Sequence, residues 1–400
     1  MLKELSTVDI LKSMSLLFLG LAVGTSIGKF TAVAAILAII ACFMDKERFA
    51  NIKNGIFTKS FMAFCAYVGV VLVVSLIQGN SRGSHMILRD FEKIATFLVI
   101  YLFIGKVKKF FNIAVIGIMI GSLCNDVVVI QKVLTSPIVL KLRYGGLFGH
   151  PNSLGSITEL MVPVFVYSAY RFRNNKTILF LSVISVVGAL ISGYVAGSRG
   201  GAMAVAVELV AFAVLYFYRK HQGVALWKYV LALAFLGIIV VGGTAKFYAR
   251  SYDMERVLLW TSAWQMFLDH PFLGVGFHQW GDTYRATYIN PLAKEPNLPH
   301  PHNLYLFVLS ECGVVGIVAY LNMLLYQLKT SMKYSKLYSR LQGEYWNVAD
   351  MFIIAMCGLA VHNLVDVNAI MRYYMLMFFL LWGLCCLWFR EVDELAKMKQ

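Results

Sequence analysis

Three side chains in this sequence have the chemistry to act on a phosphorylated substrate. His302 follows Pro299-His300-Pro301 and precedes Asn303 and the apolar run Leu304–Ser310. An imidazole titrates near neutrality and can take a proton from an attacking hydroxyl. The two prolines stiffen the backbone that leads to it. His300, two residues earlier, competes for the same role. Arg199 stands in Gly197-Ser198-Arg199-Gly200-Gly201 between two apolar runs. Its guanidinium fork can grip a phosphate with two parallel hydrogen bonds, and glycines allow close backbone approach. Arg256 lies in Asp253-Met254-Glu255-Arg256-Val257, at the start of a short amphipathic helix. Two cations and an imidazole at a membrane surface suit chemistry on a lipid-linked anion.

Each residue has a plainer alternative. His302 reads equally as an interfacial loop histidine without a role. Arg199 could cap a helix end, and Arg256 could pair with Asp253 or Glu255 in a surface ion pair of small effect. Supporting candidates are His150 and Asn152, in Gly149-His150-Pro151-Asn152, and Asn303 beside His302. Asn152 is expected to cap the helix that follows. Glu159 and Glu208 fall inside apolar runs, where an ionised carboxylate is costly, so both are expected to face the bundle interior and pair with arginine. Glu311 and Asp366 sit nearer span ends, and Asp366 follows His362-Asn363 in what reads as a buried polar network. The sequence has no Gly-x-x-x-x-Gly-Lys-Ser/Thr loop, no His-Glu-x-x-His and no Asp-x-Asp in an outer loop. Neither metal nor cofactor is therefore expected, and arginines take over the charge neutralisation that a metal would supply.

The elements that position these residues are membrane helices. Hydrophobic residues make up 59% of the chain and charged residues 14%, against roughly 45–50% and 25% in soluble domains. The apolar runs reach the roughly 20 residues that span a bilayer. About twelve spans are expected, near residues 11–28, 30–44, 60–78, 87–104, 111–130, 153–170, 177–196, 201–217, 229–245, 303–327, 350–367 and 373–389. The fold class is an all-α polytopic membrane protein, one transmembrane domain over 1–400. Its large outer loop, 246–302, carries an amphipathic helix to about Asp269, where His270-Pro271 stops it. Val257, Trp260, Trp264 and Phe267/Leu268 recur at helical spacing and would meet the membrane interface. The first apolar run, near Leu16–Ile27, lacks a cleavage site and reads as a retained span.

The net charge of +15 is spread in small clusters between apolar runs. That pattern orients membrane proteins and argues against nucleic-acid binding. Most Lys and Arg fall in alternate loops, around Lys46, Lys106, Arg171, Arg219 and Lys329, and in the C-terminal segment. Those segments are expected on the cytoplasmic side together with both termini. The opposite face then receives His150, Arg199, the 246–302 loop and Asp366. The seven cysteines lie in or beside apolar runs and read as buried small hydrophobes rather than a disulfide framework.

These motifs together resemble the O-antigen ligase and O-antigen polymerase superfamily of bacterial envelope glycosyltransferases. The matching pieces are Gly149-His150-Pro151-Asn152, Ser198-Arg199-Gly200, Arg256 followed by Trp260, His270-Pro271-Phe272-Leu273-Gly274-Val275-Gly276, His302-Asn303, Glu311-Cys312-Gly313 and Gly316. The resemblance covers about Arg143 to Asp366. It implies a glycosyltransferase C-like helical bundle with its large loop and active site in the periplasm of the inner membrane. It further implies inverting, metal-independent transfer of a glycan from undecaprenyl pyrophosphate to lipid A–core, or to another lipid-linked glycan in a polymerase. Arg199 and Arg256 would hold the donor pyrophosphate, and His302 would be the general base or orient the acceptor hydroxyl. A polyisoprenoid-glycan transporter is the reading from another class. It would call for repeat symmetry and broken helices near the midplane, and neither is evident in the sequence.

Overall fold

The computed structural model describes residues 6–50, 59–87, 110–136, 143–220, 253–344 and 346–399. It is helical throughout, with no strand among the described residues. The helices used below are α1 (Thr7–Thr25), α2 (Gly28–Met44), α3 (Lys59–Ile77), α4 (Phe110–Thr135), α5 (Pro151–Arg171), α6 (Lys176–Ala196), α7 (Arg199–Lys220), α8 (Asp253–Asp269), α9 (Leu304–Gln342), α10 (Val348–His362) and α11 (Arg372–Met398). Six of them, α1, α4, α6, α7, α9 and α11, are long and apolar enough to cross a membrane, and α2, α3 and α10 are shorter apolar helices. The chain is a multi-pass helical membrane protein. The expected spans near 229–245 and near 87–104, apart from Ile87, lie outside the described residues.

Local chemistry starts the helices where the sequence supplies a cap. Ser6 and Asp9 form a capping box on α1, and Asn347 with Asp350 does the same on α10. The α1–α4 pair is built on small residues. Gly20 and Gly24 lie against the backbone of α4 at Gly117 and Gly121, where any Cβ would overlap main-chain atoms. This close approach is the usual solution in a bilayer, where apolar side chains gain nothing from mutual burial. Helices α5 and α11 form the centre, buried along most of their lengths. Of the seven cysteines, all free, Cys65 and Cys124 are exposed on the bundle surface, contrary to the expectation of burial throughout.

The least expected feature of the fold is a break in α9. Gly313 adopts φ 65 and ψ −165, which interrupts the helical ladder. The freed carbonyls of Ser310 and Glu311 accept from the amides of Val275 (2.8 Å) and Gly276 (2.9 Å), while Val314 N–H donates to Pro271 O (2.8 Å). The segment 270–276 is thus stitched into the break. The Glu311 carboxylate then accepts from the amides of His278 (2.9 Å) and Trp280 (3.0 Å). Gln78, beyond the end of α3, donates to Leu273 O and Gly274 O at 3.1 and 2.8 Å. The 270–280 segment is therefore a docked, hydrogen-bonded element.

Helix α8 spans the expected residues but has two apolar faces. Leu259, Ala263 and Met266 are buried on the side that packs against α9. Met254, Val257, Trp264 and Leu268 are exposed, while Trp260 is half-buried.

Candidate functional site

The starts of α5, α7 and α9 and the end of α10 converge at one place. Pro151 at the first position of α5 needs no hydrogen-bonded N–H, and the preceding His150 is the N-cap, its Nδ1 accepting from Asn152 N–H (3.2 Å). The expected capping role of Asn152 thus belongs to His150. Ser198 caps α7 through Gly201 N–H (3.2 Å), so Arg199 is the first helical residue and not part of an open turn. Gly155 packs against Ser198 and Gly201, which brings the α5 and α7 starts together. Asn303 caps α9, accepting from Leu306 N–H (3.0 Å), and its amide donates to Leu364 O (2.9 Å). Both ends of that side chain are spent on structure. Three helix N-termini, each with a partial positive charge, meet here together with the partially negative C-terminus of α10.

His302 has a left-handed backbone, φ 52, which is uncommon for a residue with a Cβ. Its Nδ1 lies 3.1 Å from Asp366 Oδ1. Asp366 is nearly enclosed, yet it accepts from Val367 N–H (2.9 Å) and from Asn152 Nδ2 (3.2 Å). Burial opposes its ionisation, but the His302 hydrogen bond and charge, the Val367 amide and His362 outweigh burial and hold the carboxyl well below its usual range. An ionised carboxylate only accepts, so in the neutral form of His302 Nδ1 carries the proton and Nε2 is the basic nitrogen.

His300 stands beside it, the two rings 4.5 Å apart, and its Nδ1 accepts from His302 N–H (3.3 Å). Burial first, then the charges of His302 and Arg256, push the His300 pKa down to about 4 against the opposing pull of Asp366. It is neutral at physiological pH. Arg256 also lies within electrostatic reach of His362. The residue after Arg199, Gly200, rests on that same imidazole, and a Cβ there would overlap the ring. His300 and His302 are thereby gathered around Asp366 and His362 with Asn152 beside them, Arg256 lies within electrostatic reach, and the α7 start meets the same imidazole through Gly200, the residue after Arg199.

Beneath this layer lies a second polar group that sequence reading only partly anticipated. Glu159 pairs with His362 Nδ1, not with arginine. Its other oxygen accepts from Tyr374 Oη (2.8 Å) and Asn368 Nδ2 (3.3 Å), and Asn368 Oδ1 accepts from Ser156 Oγ (3.0 Å). Glu208 also fails to pair with arginine. It is buried, with neither carboxylate oxygen hydrogen-bonded among the described residues.

Among the described residues, one group could hold a metal ion. Ligand atoms of His300, His302 and Asp366 lie within 4.8 Å of one another. Sequence spacing hid this trio because its carboxylate comes from 64 residues beyond His302. The donors are of the right type, although the positive charge of Arg256 works against a dication there.

Residues 184–321 match the family model described as O-antigen ligase. The matched stretch contains Arg199, Arg256, His300 and His302, and ends before Asp366. No curated protein matches the chain.

Proposed function

We propose that the chain, whose residues 184–321 match the O-antigen ligase family model, is a member of that superfamily and transfers a glycan from undecaprenyl pyrophosphate to lipid A–core at the periplasmic face of the inner membrane. One observation carries the reading: a histidine hydrogen-bonded to a buried carboxylate stands where three helices start, with Arg256 within electrostatic reach and Arg199 opening one of those helices. The acceptor hydroxyl attacks the anomeric carbon from the face opposite the leaving group. The bond from that carbon to the pyrophosphate oxygen breaks, with inversion. The hydroxyl proton passes to His302 Nε2, and undecaprenyl pyrophosphate leaves with one further negative charge. Arg199 and Arg256 stabilise that charge, which is largest in the transition state and after it. His300, neutral and packed on His302, props the base rather than competing with it.

In this arrangement 1–400 is one transmembrane domain of about twelve spans. Both termini are cytoplasmic, and the 246–302 loop is periplasmic. The purified protein in liposomes, given lipid-linked glycan and separate acceptors, tests the reading. Glycan on lipid A–core, lost in His302→Ala and retained in EDTA, is the expected result. Extended lipid-linked chains without core transfer would make the protein a polymerase. Movement of the glycan lipid across the bilayer without any transfer would make it a transporter. Loss of transfer in EDTA, restored by zinc, would replace the metal-free mechanism with one using the His300–His302–Asp366 group.

A further inference from the structure

A chain of side chains runs from the general base to a residue that no motif above includes. His302 Nδ1 donates to Asp366 Oδ1 (3.1 Å), and Asp366 Oδ2 accepts from Asn152 Nδ2 (3.2 Å). Asn152 Oδ1 in turn accepts from Arg143 Nη2. Arg143 is fixed at its near end as well. Its Nε lies 3.4 Å from Ala196 O, and its aliphatic stem lies over Gly197, two residues before Arg199.

The asparagine is the weak link of such a chain. The two ends of a primary amide have nearly the same shape and opposite hydrogen-bonding character. A half-turn of the Asn152 amide would set an oxygen against Asp366 Oδ2, turning an attraction into a repulsion. Arginine is a pure donor. With Arg143 on one side and a carboxylate on the other, only one orientation satisfies both neighbours, Oδ1 toward Arg143 and Nδ2 toward Asp366. Asp366 is then gripped on both oxygens, by Asn152 on one and by His302 and Val367 on the other.

We infer that Arg143 is a positioning residue for the transfer reaction: it locks the Asn152 amide, and so holds Asp366 in the place that aims His302. This rests on the reaction proposed above, with His302 as base. Arg143 acts through two other side chains, so its loss loosens the base without weakening the grip on the donor pyrophosphate. An arginine that bound phosphate directly would do the reverse.

Steady-state transfer kinetics on the reconstituted protein separate these roles. Arg143→Ala is expected to lower kcat about 10- to 100-fold with the donor KM within about twofold of wild type. Asn152→Ala should do the same, and the double variant should be no worse than either single one, since both break one chain. Arg143→Met keeps the stem over Gly197 and removes every donor. It should reproduce the kcat loss if Arg143→Ala does not fold. A raised donor KM with kcat preserved would overturn the inference, as would losses that multiply in the double variant or variants that match wild type. In all three the wild type remains active and His302-dependent. Wild-type protein that transfers nothing would instead overturn the reaction, and this inference with it.

Discussion

Replacing Asp366 with asparagine changes few atoms and should remove most of the activity. The carboxylate accepts from His302 Nδ1 at 3.1 Å, and the Asp366 side chain is only 4% exposed, so water cannot substitute for it. In Asp366→Asn the amide can present Nδ2 to the imidazole. His302 Nδ1 must then accept, the ring proton moves to Nε2, and the nitrogen that should receive the acceptor proton is blocked. Losing a positioned base costs about 100- to 10,000-fold, and a carboxylate-to-amide change behind a catalytic histidine falls at the upper end of that range. On the scale of about 1.4 kcal/mol per decade, the barrier rises by roughly 3–5 kcal/mol. The assay is transfer at saturating donor and acceptor. The donor KM should hardly move, because Arg199 and Arg256 are untouched. A kcat within about threefold of wild type, in protein that elutes as a folded species, would refute the argument that Asp366 sets the tautomer of His302.

Three further outcomes are expected. Arg199→Ala and Arg256→Ala should each lower kcat about 100- to 1,000-fold, the usual loss for one donor to a developing oxyanion, read in the same transfer assay. His300 binds its proton with a pKa near 4 when folded and 6.5 in its ordinary state. The unfolded chain thus holds more protons between those values, and the stability His300 contributes is present above pH 6.5 and lost as the pH falls toward 4. The full effect is roughly 3 kcal/mol, and thermal midpoints in detergent at pH 5 and pH 7 should differ less for His300→Gln than for wild type. Gly313→Ala should lower the thermal midpoint by an amount equivalent to at least about 1–3 kcal/mol of backbone strain, since φ is 65 and a Cβ would overlap the Phe272 carbonyl. It should also free the 270–276 segment to faster amide exchange.

Much of the fold could be read locally. Apolar runs gave the helices, and their observed ends follow the expected ones closely from α5 to α7 and at α8, which stops at His270-Pro271 as proline chemistry requires. Residue type alone drew attention to Arg199, Arg256, His300 and His302. These are local properties, carried by length, periodicity and capping chemistry within one or two turns of helix. The break at Gly313 was hidden by the same logic. Leu304–Gln342 has the composition of one long helix, and only the docked 270–276 backbone supplies the amides that let its ladder open.

What the tertiary structure alone decided is which polar groups face one another. Asn152 looked like a cap and is instead the bridge between Arg143 and Asp366. Glu159, expected on an arginine, is matched to His362, 203 residues away. Asp366 reaches His302 across 64 residues. A sequence fixes that a buried carboxylate must find a partner, because leaving it bare in an apolar bundle is too costly. It does not fix which partner, because several donors satisfy that demand equally and only the packing of distant helices brings one of them within hydrogen-bonding distance.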